Sequence, residues 1–515
     1  MNLNRRHFLL GSAAAAAVVG HAQVAIPPRK LKDGEKANVA MIGLGIQGRT
    51  ALMPQFLDQY DRGAKITVVC DVDKSRREDA AKRVNDNYKK RNIPSDCKAV
   101  ADFRDVLKDP SIDMVCIATP DHWHAYIAVE AMKAGKDVYC EKPLTFNVDE
   151  SRKVIAAQKK YNRVFQTGSM QRSWREFRTA CMLVRNGFIG DVKYVEANYG
   201  RGGQKLGGPS HPIRFFDEPK NAQAECDGYE QLGAWGWDMW LGPAKWRPYS
   251  NQLAPKGVNN WYPMFWRFDD DFATGYNGDW GAHHLDIAQW GMDMDQSGPY
   301  QIVRSMEPYS SDLFHGGRRQ FGMKMLFKDK KGQDIELYHG PFGTWGTVFY
   351  GTKGVVAVNR GKIAMWEGNP GEPTPELRKA LADMKPVEGL TVVAASVGKD
   401  YGTDSAQKKD NRLDAALDTL EKKYDLANAK LQLYKSPNQV QNFVECYFTR
   451  KPTISPAEVG GRGAVLCQLC NMSYVYDTGF AWDPIKMDFP EGSKAREMGI
   501  PLSRDYCRNG WEVKI

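Results

Sequence analysis

The chain has 515 residues, of which 42% are hydrophobic and 26% are charged. These fractions are typical of folded globular proteins, and the length predicts roughly two to four domains. Lysine and arginine outnumber aspartate and glutamate by 71 to 62, which gives a net charge of +9. The basic residues are scattered, whereas a nucleic-acid-binding protein needs a basic stripe to recruit phosphates. The composition therefore excludes a wholly disordered chain and argues against a nucleic-acid partner.

The first 25 residues have the pattern of an export signal. Arg5 and Arg6 precede a short stretch of apolar and small residues that runs to Gly20. This stretch is too short and too weakly apolar to span a membrane, and no later stretch reaches the ~18 apolar residues that a span needs. The adjacent arginines resemble a twin-arginine signal, with an ordinary secretory signal or a chance arginine pair as the alternatives. We expect residues 1–25 to engage the twin-arginine export machinery, a periplasmic location and no stable membrane insertion.

A nucleotide-binding unit follows the signal. Residues 36–42 read as an apolar strand, the turn Gly43–Gly48 has the pattern G-x-G-x-x-G, and a helix is predicted over 49–60. The first glycine permits the tight turn, the second lets the backbone approach a pyrophosphate, and the third lets helix and strand pack closely. The helix N-terminus offers N–H donors and a partial positive charge to the phosphates. The predicted cofactor contacts in this turn are Gly43, Gly45, Ile46, Gln47 and Gly48.

A second strand, over 65–71, ends in Asp71, which lies 23 residues after the last glycine of the turn. A carboxylate at this position accepts hydrogen bonds from the adenosine ribose and repels a 2′-phosphate, which favours NAD over NADP. Arg76 and Arg77 follow closely and keep NADP as the alternative. Strand, turn, helix, strand and acid together are much more specific than the glycine pattern alone.

Two further strands, over 112–119 and 137–140, each end in a polar segment. Ligands of open α/β sheets bind beyond the carboxyl ends of the strands, so the loop expected over 120–124 and the segment Glu141–Pro143 should lie on the cofactor side. The other elements predicted for this domain are helices over 125–134 and 148–161 and a strand over 163–168. The residues expected to contact the cofactor are Thr119, Pro120, His122, Trp123, His124, Glu141, Lys142 and Gln171.

A series of different short motifs follows along most of residues 37–490. They are Gly43–Gly48, Thr119–His124, Glu141–Pro143, Gly168–Arg172, Asp238–Pro243, Trp266–Arg267, Asp279–Asp286 and a closing segment over 443–484. In this order they resemble the Gfo/Idh/MocA oxidoreductases, the group of glucose-fructose oxidoreductase and inositol dehydrogenase. The resemblance implies an α/β Rossmann NAD-binding domain over 37–170, then an α+β substrate and oligomerisation domain over 171–515 with a large, mostly antiparallel open sheet that covers the nicotinamide. It also implies a homo-oligomer, either a dimer or a tetramer.

The resemblance places Lys142, Asp279 and His283 at the substrate as the catalytic set. A lysine beside a desolvated, cationic nicotinamide has its charged form disfavoured and can exchange protons near neutral pH. Asp279 and His283 share one face if the segment 279–291 is helical. A histidine beside a carboxylate is suited to taking a hydroxyl proton while a hydride leaves the same carbon. A surface lysine paired with Glu141, and a purely structural histidine pair, are the alternatives.

Metal chemistry is a further alternative for the same segment. Its two histidines and two aspartates, within residues 279–286, are of the types that bind zinc or manganese. No further ligand cluster is visible, so we predict no metal site. Cys467 and Cys470 form a C-x-x-C pair without a second pair at zinc-site spacing, and we expect them inside a core helix, with a metal or redox site as the alternative.

The segment over 194–272 is rich in tryptophan, tyrosine and glycine. Its rings include Tyr199, Trp235, Trp237, Trp240, Trp246, Tyr249, Trp261, Tyr262 and Trp266. Rings that stack on the C–H faces of a sugar, beside arginine and aspartate, make a carbohydrate pocket, although sheet-core packing is the alternative for each ring. The expected substrate contacts are Arg172, Trp266, Arg267, Asp279, His283 and His284.

Residues 368–436 depart from the resemblance and are predicted to be an insertion. The part over 368–396 is rich in proline and glycine and is expected to be a loop. The part over 404–435 has Leu413 and Leu417 at the spacing of an amphipathic helix. We expect the insertion to dock on the sheet domain or on a neighbouring subunit.

An exported enzyme has little free NAD to exchange, so the cofactor is expected to be tightly bound and restored within each catalytic cycle. The sequence therefore predicts an NAD-dependent oxidoreductase that acts on a hydroxyl of a sugar or glycoside. One alternative is an NAD-dependent glycoside hydrolase that works by transient C3 oxidation and elimination, similar to the α-N-acetylgalactosaminidase branch of the family. Another is a non-catalytic protein that binds a nucleotide or a sugar.

Overall fold

The computed structural model describes residues 26–199, 232–251, 253–258, 265–275, 277–309, 320–340, 345–396 and 410–515. The predicted export signal lies outside the described residues, as do Trp261 and Tyr262 of the aromatic segment. Within these described ranges, no helix is long and apolar enough to cross a membrane.

Six parallel strands form the sheet of the N-terminal domain, in the order β3-β2-β1-β4-β5-β6. The strands are β1 (Ala37–Ile42), β2 (Ala64–Cys70), β3 (Lys98–Val100), β4 (Met114–Ile117), β5 (Asp137–Cys140) and β6 (Phe165–Thr167). The central strands β4 and β5 are buried throughout, as continuous apolar strands are when helices cover both faces of a parallel sheet. The order reverses between β1 and β4, which is the switch point where dinucleotides bind.

The helices of this domain are α1 (Met53–Leu57), α2 (Lys74–Lys90), α3 (Phe103–Lys108), α4 (Asp121–Lys133) and α5 (Val148–Tyr161). The helix predicted over 49–60 is instead a π-helical turn, Gln47–Leu52, that continues into α1. The loop predicted over 120–124 is wrong, because α4 begins at Asp121. Pro120 has the φ angle of −59° that a helix entry needs, and a carboxylate in the first turn suits the helix dipole.

Nine strands form the sheet of the second domain, in the order β14-β13-β12-β11-β7-β10-β9-β8-β15. All neighbouring pairs are antiparallel except β7 and β10, which confirms the predicted mostly antiparallel sheet. The strands are β7 (Val192–Ala197), β8 (Gln301–Tyr309), β9 (Gln320–Lys328), β10 (Asp334–His339), β11 (Thr347–Gly351), β12 (Gly354–Asn359), β13 (Lys362–Glu367), β14 (Thr391–Ser396) and β15 (Phe480–Ala481).

The later helices join the two domains. They are α6 (Arg175–Arg185), α7 (Gly233–Leu241), α8 (Ala282–Gly291), α9 (Pro375–Ala382), α10 (Asn411–Lys423), α11 (Gln439–Thr449), α12 (Ala457–Tyr476) and α13 (Lys494–Glu497). Helix α12 packs on α5 of the first domain and on α8 of the second, and it buries Cys467 and Cys470 as the expected core thiols. Helix α11 returns to the N-terminal domain, where the ring of Phe443 meets those of Phe56 and Tyr139 edge-on.

The insertion has more regular structure than its composition predicts. The part expected to be a loop contains α9 and the edge strand β14, because Thr374 caps α9 and β14 pairs with β13. The predicted amphipathic helix forms as α10, and its leucines Leu413, Leu417 and Leu420 are buried against the sheet domain. The insertion therefore docks on the sheet domain of its own chain.

Candidate active site

The glycine turn after β1 forms a backbone cradle at the switch point of the parallel sheet. Gly43 has φ +87°, and a Cβ there would lie 2.6 Å from the backbone of Ala118. A Cβ on Gly48 would lie 2.2 Å from the carbonyl oxygen of Gly43, so the fold itself requires both glycines. Gly45 differs, because a Cβ there would meet no atom of the described residues within 4 Å.

The π-helical turn that follows the glycines, Gln47–Leu52, has no side-chain cap and no acidic residue in its first turn. Its first N–H groups and the positive end of its dipole are therefore available to an anion. Open space beside Gly45 and an uncapped helix start are what a bound pyrophosphate requires. The residues present thus fit a dinucleotide.

A pair of alanine substitutions separates ligand binding from folding in this turn. Gly45→Ala should fold normally and lower NAD affinity at least ~10-fold, because its Cβ enters the space that the phosphates need. Gly48→Ala should instead lower the free energy of unfolding, because its Cβ meets backbone. Calorimetric NAD titration and urea unfolding of both variants check this, and unchanged NAD affinity in Gly45→Ala would contradict the assigned cradle.

Asp71 is fixed at the end of β2, where a ribose would lie. One carboxylate oxygen accepts from the backbone N–H of Leu44 at 2.7 Å and the other from that of Asp73 at 2.9 Å. Burial raises the pKa of Asp71. The Arg77 guanidinium donates to the carbonyl oxygens of Asp71 and Val72, at 3.2 and 3.0 Å, so this arginine is occupied by the backbone.

His122 and Trp123, predicted to contact the cofactor, instead anchor the second domain. The ring nitrogens of His122 lie 3.3 Å from the carbonyl oxygen of Phe272 and 3.0 Å from that of Trp240. The Trp123 indole N–H donates to the carbonyl oxygen of Met239 at 3.0 Å. Both side chains are buried, and their polar atoms hold the segment around α7 against the first turn of α4.

Glu141 and His124 organise the segments that end β4 and β5. The His124 ring nitrogens lie 2.7 Å from the carbonyl oxygen of Pro143 and 2.9 Å from that of Thr119. Glu141 accepts from the side-chain amide of Gln47 at 3.1 Å, and burial raises its pKa. This contact ties the end of β5 to the glycine turn. Four predicted cofactor residues thus meet in two pairs, Glu141 with Gln47 and His124 with Thr119.

Lys142 and Asp279 meet where the carboxyl edge of the parallel sheet faces the second domain. The Lys142 ammonium donates to a carboxylate oxygen of Asp279 at 2.9 Å and to its carbonyl oxygen at 2.7 Å. Arg267 Nε lies 3.6 Å from the other carboxylate oxygen, and the Arg267 guanidinium stacks over the ring of Trp266 at 4.6 Å. Burial would raise the pKa of Asp279, but the positive charges of Lys142 and Arg267 outweigh it and lower that pKa to about 2.

The predicted pairing of Asp279 with His283 is not formed. Asp279 lies in a π-helical turn, Asn277–Gly281, and His283 in the α-helix that follows, so the regular four-residue register does not connect them. His283 is buried, and its Nδ1 has no hydrogen-bond partner among the described residues. Burial, helped by the charges of Arg360 and Lys142, holds the pKa of His283 well below its usual value, so the imidazole is neutral.

Arg360, in the turn between β12 and β13, was not predicted to belong to the site. Its Nε donates to the side-chain carbonyl of Gln171 at 3.0 Å, and the Gln171 amide donates to the backbone carbonyl of His283 at 3.2 Å. The guanidinium lies 4.8 Å from the ring of Trp280. Gln171, predicted at the cofactor, therefore uses one end of its amide on α8 and the other on the β12–β13 turn, and Arg360 brings a buried positive charge to the site.

Arg172 has a different role from the predicted substrate contact. Its side chain is 1% exposed and forms a bidentate pair with Asp286, at 2.8 Å for both bonds, and a second pair with Asp295 at 2.7 and 2.9 Å. His284 is buried against Gly346, and its ring is parallel to that of Trp280. Within the described ranges, no group of three or more His, Cys, Asp or Glu side chains is arranged to hold a metal ion.

The aromatic segment divides into a buried part and an exposed part. The buried part, here called the aromatic cover, consists of Leu232, Trp237, Trp240, Leu241, Ala244, Tyr249, Leu253, Ala254 and Phe272. Trp235 and Trp246 are 47% and 55% exposed. The packing alternative therefore holds for the cover, and among the described tryptophans of the segment Trp235, Trp246 and the partly buried Trp266 remain available for a sugar.

The charge of Asp279 should appear in the pH dependence of stability. Because its pKa is lowered from 3.8 to about 2 in the folded protein, it contributes stability that is present above pH ~4 and is lost as the pH falls through 2. The contribution is about 2 kcal/mol. Urea unfolding between pH 2 and 6 should therefore show a smaller acid-induced loss for Asp279→Asn than for the wild type, and equal losses would contradict the ion pair.

Fold and site together define a two-domain dinucleotide-binding protein with a lysine–aspartate pair at its domain junction. A model of the Gfo/Idh/MocA oxidoreductase family, described as an NAD-binding Rossmann fold, matches residues 37–169. The levoglucosan dehydrogenase of Pseudarthrobacter phenanthrenivorans is 29% identical over 170 residues, 32% of this chain and 41% of that protein. A glycosyl hydrolase family 109 protein of Shewanella baltica is 26% identical over 215 residues, 38% of this chain and 46% of that protein. The chain thus spans less than half the length of these curated relatives.

Solved structures extend the likeness to both domains. A levoglucosan dehydrogenase in complex with NADH superposes with a TM-score of 0.50 and 17% identity, over 86% of this chain and 98% of that chain. The predicted fold class, a Rossmann domain followed by a mostly antiparallel sheet domain, is confirmed. Residues 37–169 thus match the NAD-binding Rossmann fold of the Gfo/Idh/MocA oxidoreductase family.

Proposed function

We propose that this protein is an NAD-dependent oxidoreductase that acts on a hydroxyl of a sugar or glycoside and keeps its cofactor tightly bound through the cycle. The observation that carries the proposal is the Lys142–Asp279 ion pair at the carboxyl edge of the parallel sheet, where a nicotinamide would lie. The similarity to a levoglucosan dehydrogenase supports a carbohydrate substrate.

NAD held in this cradle would supply a hydride acceptor, and oxidation of a carbinol beside it would require the protein to take up the hydroxyl proton. His283 is neutral, so its free Nδ1 can accept that proton or a hydrogen bond from the hydroxyl. Lys142 Nζ, held by Asp279, can donate a hydrogen bond to the same oxygen, and in the reverse direction the proton returns to that oxygen from His283. Arg267, stacked on Trp266, presents its guanidinium from the second domain to the substrate side of the pair.

The similarity to glycosyl hydrolase family 109 proteins favours a second candidate function. A hydrolase of this kind would use the same residues to oxidise a carbinol transiently, so that an adjacent proton becomes acidic and the glycosidic bond is eliminated. The intact Lys142, Asp279 and His283 set serves both reactions, but only the hydrolase releases the aglycone.

One experiment separates these functions. Purified protein is denatured and the released dinucleotide is identified by mass; the native protein is then incubated with free sugars and aryl glycosides. Reduction of the bound cofactor with an intact glycosidic bond supports the oxidoreductase, whereas release of the aglycone without net change in cofactor redox state supports the hydrolase. A protein that neither contains nor takes up NAD would contradict both.

We also propose export through the twin-arginine machinery to the periplasm and assembly as a dimer or tetramer. Support for export comes from Arg5, Arg6 and the short apolar stretch after them. Replacing both arginines by lysine should retain a reporter fused to residues 1–25 in the cytoplasm, and light scattering of the mature protein should give two or four subunits. Unchanged export of the lysine variant, or a monomeric mass, would contradict the respective proposal.

A further inference from the structure

A short segment of the second domain, residues 253–258, crosses to the N-terminal domain beside Asp71. It continues the aromatic cover, which packs on Val72, the residue that follows Asp71. A Cβ placed on Gly236 in α7 would lie 3.5 Å from the carbonyl oxygen of Val72, so the cover touches the end of β2 directly. The segment therefore lies at the adenosine end of the dinucleotide site.

Two arginines from the two elements that frame this site bind the backbone of the segment. Arg76, in the first turn of α2, donates to the carbonyl oxygen of Pro255 at 2.8 Å and to that of Gly257 at 3.4 Å. Arg49, in the π-helical turn after the glycines, donates to the carbonyl oxygen of Val258. The glycine turn and the Asp71 strand end are thus tied to one segment of the other domain.

The segment and its two arginines are held by further contacts. Arg49 is buried and also donates to the carbonyl oxygen of Leu44 at 2.8 Å and to Asp79 at 2.8 Å. The Tyr249 hydroxyl donates to the carbonyl oxygen of Ala254 at 2.8 Å, and Leu253 is fully buried. Bound NAD could leave past this edge only after the hydrogen bonds from Arg49 and Arg76 to residues 253–258 had broken.

We infer that residues 253–258 are a clamp that retains the dinucleotide, locked by Arg49 and Arg76, and that Arg76 serves this clamp instead of reading a 2′-phosphate. The inference rests on the proposed function only in requiring that NAD binds. It supplies the physical basis for a cofactor that stays on the protein, because charge-assisted hydrogen bonds from buried or half-buried guanidinium groups must break before the adenosine end opens.

The test is the dissociation of NAD from Arg76→Gln, measured without any sugar by rapid dilution of NADH-loaded protein and loss of bound-NADH fluorescence. The variant is expected to release NADH at least ~10-fold faster than the wild type, because two hydrogen bonds to the clamp are lost. Lys82→Gln is the matched control: Lys82 lies on the same helix, pairs with Asp86 on the surface and should leave the release rate unchanged.

Hydrogen exchange gives a second measurement that does not depend on the release rate. The backbone N–H of Lys256, which donates to the side chain of Asn251 at 2.9 Å, should exchange faster in Arg76→Gln and in a milder form in Arg76→Lys. If Arg76→Gln releases NADH at the wild-type rate but no longer binds NADP, the clamp is wrong and Arg76 recognises the 2′-phosphate. Wild-type protein that binds no NADH at all would overturn the proposed function instead.

Discussion

Replacement of Lys142 by methionine should lower kcat for sugar oxidation by ~10²–10⁴-fold, the range for loss of a general acid or base. Methionine keeps the length and apolar stem of the lysine but removes the only ammonium that contacts Asp279 among the described residues. NAD content should be unchanged, because the glycine turn and Asp71 do not contact Lys142. Stopped-flow reduction of the bound cofactor by an active sugar measures the effect.

Lys142→Arg is the matched control for charge. An arginine keeps the ion pair with Asp279, but its planar guanidinium cannot place a donor as the compact ammonium does, so it should restore the stability of the fold and leave turnover low. If Lys142→Met retains wild-type turnover, Lys142 does not act on the reacting oxygen, and the proposed chemistry is wrong. If only NAD content falls, Lys142 serves cofactor binding.

Replacement of Arg172 by methionine should lower the free energy of unfolding by about 3–5 kcal/mol, since it leaves two carboxylates unpaired beside a buried helix. Arg172 contacts Asp286 and Asp295, and burial raises the pKa of Asp286 even with the arginine present. The loss should therefore shrink at low pH, where Asp286 becomes protonated in the variant. Urea unfolding at pH 5 and pH 8 measures both effects.

Arg175→Met is the matched control, three residues further along the same segment. Arg175 is 38% exposed and pairs with Asp418 and Glu421 on the surface, so its loss should cost about 1 kcal/mol or less. Equal losses of unfolding free energy in the two variants would show that the contacts of Arg172 do not hold α8. The predicted role of Arg172 as a substrate contact would then be preferred.

The local parts of this protein were predictable from the sequence. The order of an apolar strand, the motif G-x-G-x-x-G and an acidic residue predicted the β1–β2 unit, because a phosphate cradle needs glycines at fixed positions along one short stretch of chain. Lys142 and Asp279 were also identified correctly as neighbours, although they are 137 residues apart, because ordered motifs resembling the family connect them. The incorrect predictions at this scale were the start of α4, which lies at Asp121, and the loop over 368–396, which contains the strand β14.

Side-chain partners across the fold were decided only by the tertiary structure. Four predicted site residues have polar side-chain atoms that could bind a ligand: Arg172, Gln171, His122 and Trp123. In the structure, each uses these atoms to hydrogen-bond another segment of the protein. Arg360 reaches the site from a hairpin turn that no local pattern distinguishes. The physical reason is that a buried polar group must find a hydrogen-bond partner. Which partner lies within reach depends on how the two sheets and their helices pack, and residue types and spacing along the sequence do not determine that packing. The sequence by itself determined the dinucleotide cradle, and its resemblance to the family placed Lys142 and Asp279 at one site. The packing of the second domain decided that these two side chains pair and which neighbouring side chains remain available for chemistry.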